Sequence, residues 1–331
     1  MDLRGRRVLV TGAAGFIGSH LVEGLLALGC QVRALVHYNS RNSWGNLEEL
    51  DDAQRPRLDV VLGDVQDPFS TSRAVQGCDV VFHLAALIAI PYSYRAAHSY
   101  VSTNIEGTLN VLEACRAHGV ERLVHTSTSE TYGTAQYTPI DELHPMQGQS
   151  PYSASKIGAD KMAESYYRSF ELPVVTLRPF NTFGPRQSAR AIVPTIISQA
   201  LDRSEIRLGS LTPVRDLTFV TDTAAAFIAA ASCDAAIGKV VNSGSGKGIT
   251  IGDLAARILS LMGLHGTHHV VSDAERVRPE KSEVFELICD NSLAASLLGW
   301  RPRVSLDEGL SQVIDYVSAH RQAFKPDMYT V

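Results

Sequence analysis

Tyr152 and Lys156 stand four residues apart, a spacing that puts two side chains on one face of a helix. Free tyrosine ionises near a pH of about 10, so service as a phenolate near neutrality requires a shift of about three units, or about 4 kcal/mol. A lysine ammonium one turn away, helped by a cationic cofactor ring, is a source for that shift. Upstream, Thr128, Ser129 and Glu130 follow an apolar run and are expected at the C-terminal end of a strand, where open α/β sheets bind ligands. The two pieces, spanning Thr126 to Lys156, are expected to face each other across one substrate.

A second constellation concerns phosphate. Arg7 to Thr11 reads as a short buried strand that runs into Gly12-Ala-Ala-Gly15-Phe16-Ile17-Gly18 and an apolar-periodic helix to about Leu28. Strand, glycine turn and helix together make a dinucleotide site, because glycines allow a tight turn and the helix N-terminus faces the pyrophosphate. Gln31 to Val36 is the next strand. A NAD site usually carries an acid at this strand's end to bind the adenosine ribose, but here Val36, His37, Tyr38, Asn39 and Arg41 supply no carboxylate. A ribose 2′-phosphate on His37 or Arg41, NAD held by Tyr38 and Asn39 alone, and a merely solvated Arg41 remain open side by side. So does the choice between NAD+ and NADP+. Asp64, with Val65 beside it after the strand Leu58 to Leu62, is placed to meet the adenine amino group. The small residues of His83-Leu84-Ala85-Ala86 let the backbone pass close to a cofactor, and Asn104 is a polar residue in a helix expected over Ser99 to Ala117, read as a brace for the active-site backbone.

Strands and helices alternate through Arg122–Thr126, the helix Pro151–Phe170 and a sixth strand at Val174–Arg178. That order predicts an α/β fold, a doubly wound parallel (Rossmann) sheet with a smaller C-terminal α/β substrate lobe. Residues 1–180 are assigned to the dinucleotide-binding domain and 181–331 to the lobe, with about 217–242 returning to the first. In the lobe, Asp222 is expected to cap an Ala-rich helix, and Thr250 with Asp253 and Ser305 with Glu308 fit capping patterns. Arg186, Arg215 and Arg278 fall in turn-like contexts and together suggest a diphosphate clamp.

The composition narrows the partners. In 331 residues, 45% are apolar and 20% charged, which suits a globular chain with a sizeable core, and a net charge of -5 argues against nucleic acid as a partner. The five cysteines are scattered without a C-x-x-C pair and read as reduced thiols in a cytoplasmic protein, with no metal site. The most apolar internal stretch, Val80 to Ile90, is too short to span a bilayer, and no secretory leader is evident, so no membrane partner is expected.

Taken as a set, the glycine turn, H-L-A-A, T-S-E-x-Y-G, Y-x-x-x-K, R-P-F-N-x-F-G-P-R and R-P-E-K-S-E-V resemble the extended short-chain dehydrogenase/reductase superfamily in its nucleotide-sugar epimerase/dehydratase branch. The strings Leu87 to Tyr94 (with Tyr92), Gln147 to Lys156, Gln187 to Ala191 and Gly209 to Asp216 are closest to UDP-N-acetylglucosamine 4,6-dehydratases of legionaminic-acid-type pathways. The resemblance implies that Tyr152 takes the proton of the sugar 4-hydroxyl as hydride leaves C4, that Lys156 holds the nicotinamide ribose, and that Thr128 bonds the same hydroxyl. Glu130 is then the base at C5, water leaves from C6, and hydride returns there. Asn181, Arg186, Arg215 and Arg278 are implied to hold the nucleotide diphosphate, Tyr92 and Glu280 to touch the substrate, and two long helices to pair the chain into a homodimer.

One departure stands out. Where dehydratases of dTDP-glucose carry an Asp-Glu pair, this chain has Ser129 before Glu130, which leaves the acid for the departing hydroxyl unassigned. A 4-epimerase is the first rival and needs no base at C5. A UDP-glucuronate decarboxylase is the second and would need a cation near C5, for which Arg95 or Arg190 are available. A non-catalytic dinucleotide sensor would need none of the four side chains.

Overall fold

The computed structural model describes residues 1–326. Six strands come first, β1 (Arg7–Thr11), β2 (Gln31–Val36), β3 (Leu58–Leu62), β4 (Val80–His83), β5 (Arg122–Thr126) and β6 (Val174–Pro179). Then follow β7 (Asn181–Phe183), β8 (Glu205–Leu208), β9 (Val214–Phe219), β10 (Val240–Ser243), β11 (Gly248–Thr250), β12 (His269–Ser272) and β13 (Glu286–Leu287).

A seven-stranded sheet runs in the order β10-β6-β5-β4-β1-β2-β3, with every neighbouring pair parallel. Its inner strands read as unbroken apolar runs because helices cover both faces; β4 is buried at all four positions. Strand order reverses between β1 and β4, and the crevice beyond their C-terminal ends is where such a sheet binds ligands. This is the doubly wound Rossmann architecture expected from the alternation of elements.

The second lobe is built on β9, which pairs in parallel with β7 and β13 and antiparallel with β11. Beside it β8 and β12 form a parallel pair. The helices Ile192–Ala200, Ile251–Leu261 and Leu306–Ala319 close a separate core around Ile196, Ile258 and Val313. Thr250 and Ser305 cap two of them, accepting from Asp253 N at 3.0 Å and Glu308 N at 3.3 Å, a role usually worth about 1 kcal/mol.

Three expectations need correction. Asp222 lies inside the first turn of the helix Val220–Ser232, whose cap position is Phe219. Its carboxylate instead accepts Arg303 N and Val304 N, each at 2.9 Å, and so ties the C-terminal segment to this helix. The returning segment is also differently bounded. Leu217–Phe219 belong to β9 in the small sheet, while β10 joins the large one, the helix Val220–Ser232 packs Phe227 and Ala230 into the first core, and Ala294 and Trp300 pack there as well. Finally, the helix expected over Ser99 to Ala117 is interrupted. Ala97–Tyr100 is α-helical, Val101–Glu106 forms a π-turn, and Gly107–His118 resumes the α-helix.

All five cysteines are free, and four are buried. No helix among the described residues is long and apolar enough to cross a membrane.

Candidate active site

The glycine turn ends β1 at the crevice. Gly12 has φ +68°, and a Cβ there would stand 2.8 Å from Ala85 N, so only glycine lets this turn lie on the 84–86 segment. A Cβ on Gly18 would meet Gly12 O at 2.2 Å. Gly15 stands at the N-cap of the helix Phe16–Leu28, which contains Ile17 and has no acid in its first turn; its free N–H groups suit a pyrophosphate. Thr11 fastens the opposite wall, its hydroxyl accepting Leu84 N and Ala85 N at 3.1 Å each and meeting His83 Nδ1 at 2.8 Å. Ala86 continues that wall. This cradle fits a dinucleotide.

Asn104 shows what the π-turn accomplishes. The inserted residue turns its side chain inward, where Oδ1 accepts Leu87 N at 2.9 Å and Nδ2 donates to Leu87 O at 3.0 Å and to Ser155 Oγ at 2.9 Å. One amide thus ties the 84–87 wall to the helix Pro151–Phe170, the brace expected of it. π-turns concentrate at functional sites because they re-aim a residue in this way.

At the adenosine end, Asp64 follows β3 with Val65 buried behind it. His37 Nε2 lies 3.2 Å from Asp64 Oδ2, and its Nδ1 is 2.9 Å from Tyr38 O. Arg41 is exposed.

The candidate catalytic residues meet at the end of β5. Ser150 opens the helix Pro151–Phe170 with a capping box shared with Ser153, which fixes Tyr152 in the first turn and Lys156 one turn on. Both are buried. Lys156 Nζ donates to Thr126 O at 2.6 Å, so the ammonium is anchored to the last residue of β5. Thr128 caps the short turn Ser129–Tyr132, accepting Glu130 N at 3.3 Å, and its side chain bonds the Tyr152 hydroxyl. Tyr100 packs edge-on to Tyr152 with centroids 6.2 Å apart, and half-exposed Tyr92 flanks Tyr100.

In the protein alone, burial dominates the electrostatics of the Tyr152 and Lys156 pair. Burial pushes the Tyr152 phenol well above its ordinary value, opposed by the Thr128 hydrogen bond and reinforced by the Glu130 charge. Lys156 does not reverse this in the protein alone, because burial pulls its own amine down to about 8, with Asp160 partly compensating.

Glu130 is 8% exposed. Its carboxylate has no hydrogen bond or ion pair among the described residues, although its charge is felt by both Tyr152 and Arg215. Ser129, at 2%, is more deeply buried.

The three arginines do not act as one clamp. Arg215 lies in β9, not in a turn, and its Nη2 donates to Glu283 Oε1 at 3.3 Å; Arg278 Nη1 lies 3.7 Å from the same oxygen. Burial lowers the Arg215 pKa, with Glu130 opposing. Arg186 is elsewhere, at φ +67°, bound through Nη2 to Glu23 at 2.7 Å and through Nε to Glu49 at 3.1 Å. Two carboxylates in the first domain hold it more strongly than a site shared with two like charges would. Asn181 opens β7 with a buried Oδ1 that has no hydrogen-bond partner among the described residues, a costly state for a polar atom that a ligand donor would relieve. Glu280 is exposed in a short 3-10 turn.

Glu283 is thus the acid that organises the cationic pair, and sequence reasoning missed it. It also missed a buried network below Lys156. Asp160 accepts from Ser127 Oγ at 2.6 Å and Arg178 Nη2 at 2.7 Å and meets His125 Nε2 at 3.0 Å. Burial opposes ionisation there, but Arg178 and His125 hold the carboxyl well below the usual range. Asp160 was findable, since it falls one turn beyond Lys156 on the same helix face.

A dinucleotide cradle, a buried Tyr/Lys/Glu set with Thr128 beside it and a paired-arginine wall define an enzyme of the nucleotide-sugar dehydratase and epimerase class. Residues 9–313 match the family model for GDP-mannose 4,6 dehydratase, and the chain belongs to that family. It is 32% identical to a dTDP-glucose 4,6-dehydratase of an Actinoplanes species, over 95% of this chain and 98% of that one. It is 33% identical to a UDP-glucose 4-epimerase of Mycolicibacterium smegmatis, over 94% and 98%. Among solved structures it resembles the dTDP-glucose 4,6-dehydratase DesIV of Streptomyces venezuelae with NAD bound, at a TM-score of 0.87, 31% identity, and 97% and 99% coverage.

Proposed function

We propose that this chain is a 4,6-dehydratase of a UDP-linked N-acetylhexosamine, converting UDP-N-acetylglucosamine to its 4-keto-6-deoxy product. The observation that carries the reading is Glu130, a buried carboxylate beside Tyr152 that no group among the described residues ties down. An epimerase has no use for such a base at C5; a dehydratase requires one.

A nicotinamide dinucleotide held by the Gly12–Gly18 turn and the Leu84–Ala86 wall would supply a hydride acceptor toward C4 and a hydride donor toward C6. Tyr152 receives the 4-hydroxyl proton, and Thr128 orients that hydroxyl. The positive nicotinamide and the Lys156 ammonium together offset the burial that holds the phenol protonated in the protein alone. The 4-keto group acidifies C5, Glu130 removes that proton, and the C6 hydroxyl departs as water. Glu130 then carries the C5 proton to the leaving oxygen, with Ser129 or water assisting, because a serine hydroxyl is itself a poor acid. Arg215, Arg278 and Asn181 hold the diphosphate. The same reading makes the protein a cytoplasmic homodimer, paired through the helices Gly107–His118 and Pro151–Phe170.

The test is incubation of purified protein with UDP-N-acetylglucosamine, followed by mass spectrometry. Loss of one water supports the dehydratase. Unchanged mass with a galacto-configured product by NMR would establish the second reading, a 4-epimerase, which the 33% identity to such an enzyme favours. Loss of carbon dioxide from UDP-glucuronate would indicate a decarboxylase.

A further inference from the structure

We infer that Tyr132 aims Glu130 at C5: its ring, locked under Arg178, positions the base that elimination needs and C4 oxidation does not. This rests on the reading of Glu130 as the group that takes the C5 proton.

Nothing holds the carboxylate directly. Glu130 is buried, yet its side chain has no hydrogen bond or ion pair among the described residues. Its placement therefore comes from its backbone, which belongs to the short turn Ser129–Tyr132. Thr131 ties the start of that turn, its N–H and its hydroxyl both donating to Thr128 O, at 3.2 and 2.7 Å. Gln147 N donates to Thr131 O at 2.9 Å, and Gly133 N closes the turn on Glu130 O at 3.3 Å.

Tyr132 is the anchor that reaches furthest. Its side chain is fully buried. The Arg178 guanidinium carbon lies 4.6 Å from the ring centroid, His144 meets the ring edge-on with centroids 5.4 Å apart, and the hydroxyl donates to Asn242 Oδ1 at 2.8 Å. A cation over an aromatic face is held most strongly where both are desolvated, as here. Arg178 also faces the other way. The same guanidinium donates to Asp160 Oδ2 at 2.7 Å and, through Nε, to Ser127 Oγ at 3.1 Å. Asp160 stands one turn beyond Lys156 on the helix that carries Tyr152. Arg178 is thus a shared reference for the turn that carries the C5 base and the helix that carries the C4 pair. These groups act on adjacent carbons of one sugar ring, and a misplacement of about 1 Å can cost about 100-fold in rate. Loosening Tyr132 shifts the base, while Tyr152 keeps its capped helix and Lys156 its bond to Thr126 O.

Single-turnover reactions with UDP-N-acetylglucosamine separate the two steps. Nicotinamide absorbance reports oxidation at C4, and mass spectrometry in heavy water reports exchange at C5 and loss of water. Tyr132→Leu, which removes the stacked ring, should slow exchange and water loss about 10- to 100-fold while oxidation changes by less than about threefold. Reduced nicotinamide and the 4-keto sugar then accumulate. Tyr132→Phe keeps the core filled and frees the ring only from Asn242; it should show the same split more weakly, and it carries the test if the leucine variant does not fold. Phe227→Leu, in the first core, supplies a purely structural loss that lowers both steps together. Proportional loss of both steps in the folded Tyr132 variants, or no loss in either, overturns the inference and leaves the dehydratase reading intact. A parent protein that releases no water from the sugar nucleotide overturns both.

Discussion

Lys156 is a cation buried without a contacting carboxylate, and that placement has a cost in stability. Its amine titrates at about 8 in the folded chain against an ordinary 10.5, because burial disfavours the charged form more than Asp160 favours it. Between those two values the unfolded chain binds more protons than the folded one, so stability rises with pH across that window. Below about 8 the full penalty applies, on the order of 3 kcal/mol. Lys156→Met should therefore be inactive yet more stable than the parent in urea at neutral pH, with the gain fading as pH rises toward 10.5. A variant less stable at neutral pH would show that the Thr126 contact outweighs desolvation. The neighbouring pair Ser129 and Glu130 yields a kinetic prediction. If Glu130 shuttles the proton itself, Glu130→Gln should lower kcat by about 100-fold or more while Ser129→Ala costs less than about tenfold; equal losses would return the acid role to Ser129.

At the scale of elements, the π-turn Val101–Glu106 and the arginine wall are the parts most open to test. Asn104→Ala removes three hydrogen bonds from one buried amide, and leaving the Leu87 backbone unpaired should cost about 2 to 4 kcal/mol of stability. Activity of the folded fraction should fall too, since the amide links the cofactor wall to the helix that carries Tyr152. Glu283→Gln takes the shared acid from Arg215 and Arg278, leaving two cations to repel each other. Its expected signature is a raised KM for the nucleotide sugar with kcat little changed, measured by steady-state kinetics.

These elements also mark where sequence stops being informative. The strands β1 to β6 were legible from short apolar runs, and the shared face of Tyr152 and Lys156 was legible because their spacing is helical. The π-turn was not, since an inserted residue leaves the apolar pattern of Val101, Ile105, Leu109 and Leu112 nearly helical. Glu283 sits in an irregular segment whose pairing with β9 residues depends on contacts far apart in the chain. Arg186 was misplaced because its motif says only that it follows a Pro/Gly turn, and its partners Glu23 and Glu49 come from a different domain.

For the whole molecule, Arg186 is a tie between the lobes. Glu49 also receives the Tyr316 hydroxyl at 2.6 Å, so one carboxylate joins the Gly184–Arg186 turn and the helix Leu306–Ala319 to the first domain. Arg186→Ala should lower stability by about 2 to 4 kcal/mol, as the loss of a buried ion-pair partner does. Differential scanning calorimetry would register this as a lower melting temperature, and an unchanged one would show the tie to be redundant.

The large sheet has a second consequence, in the order in which the chain is made. Its edge strand β10 and the helix Val220–Ser232, which supplies Phe227 and Ala230 to the first core, are encoded well after β6. A nascent chain that has emerged only through residue 180 therefore holds six parallel strands with an unpaired margin and a bare apolar underside. Such edges recruit other strands. Synthesis halted at that point would yield aggregate rather than a smaller nucleotide-binding protein, and the emerging polypeptide must be shielded until its last third is translated.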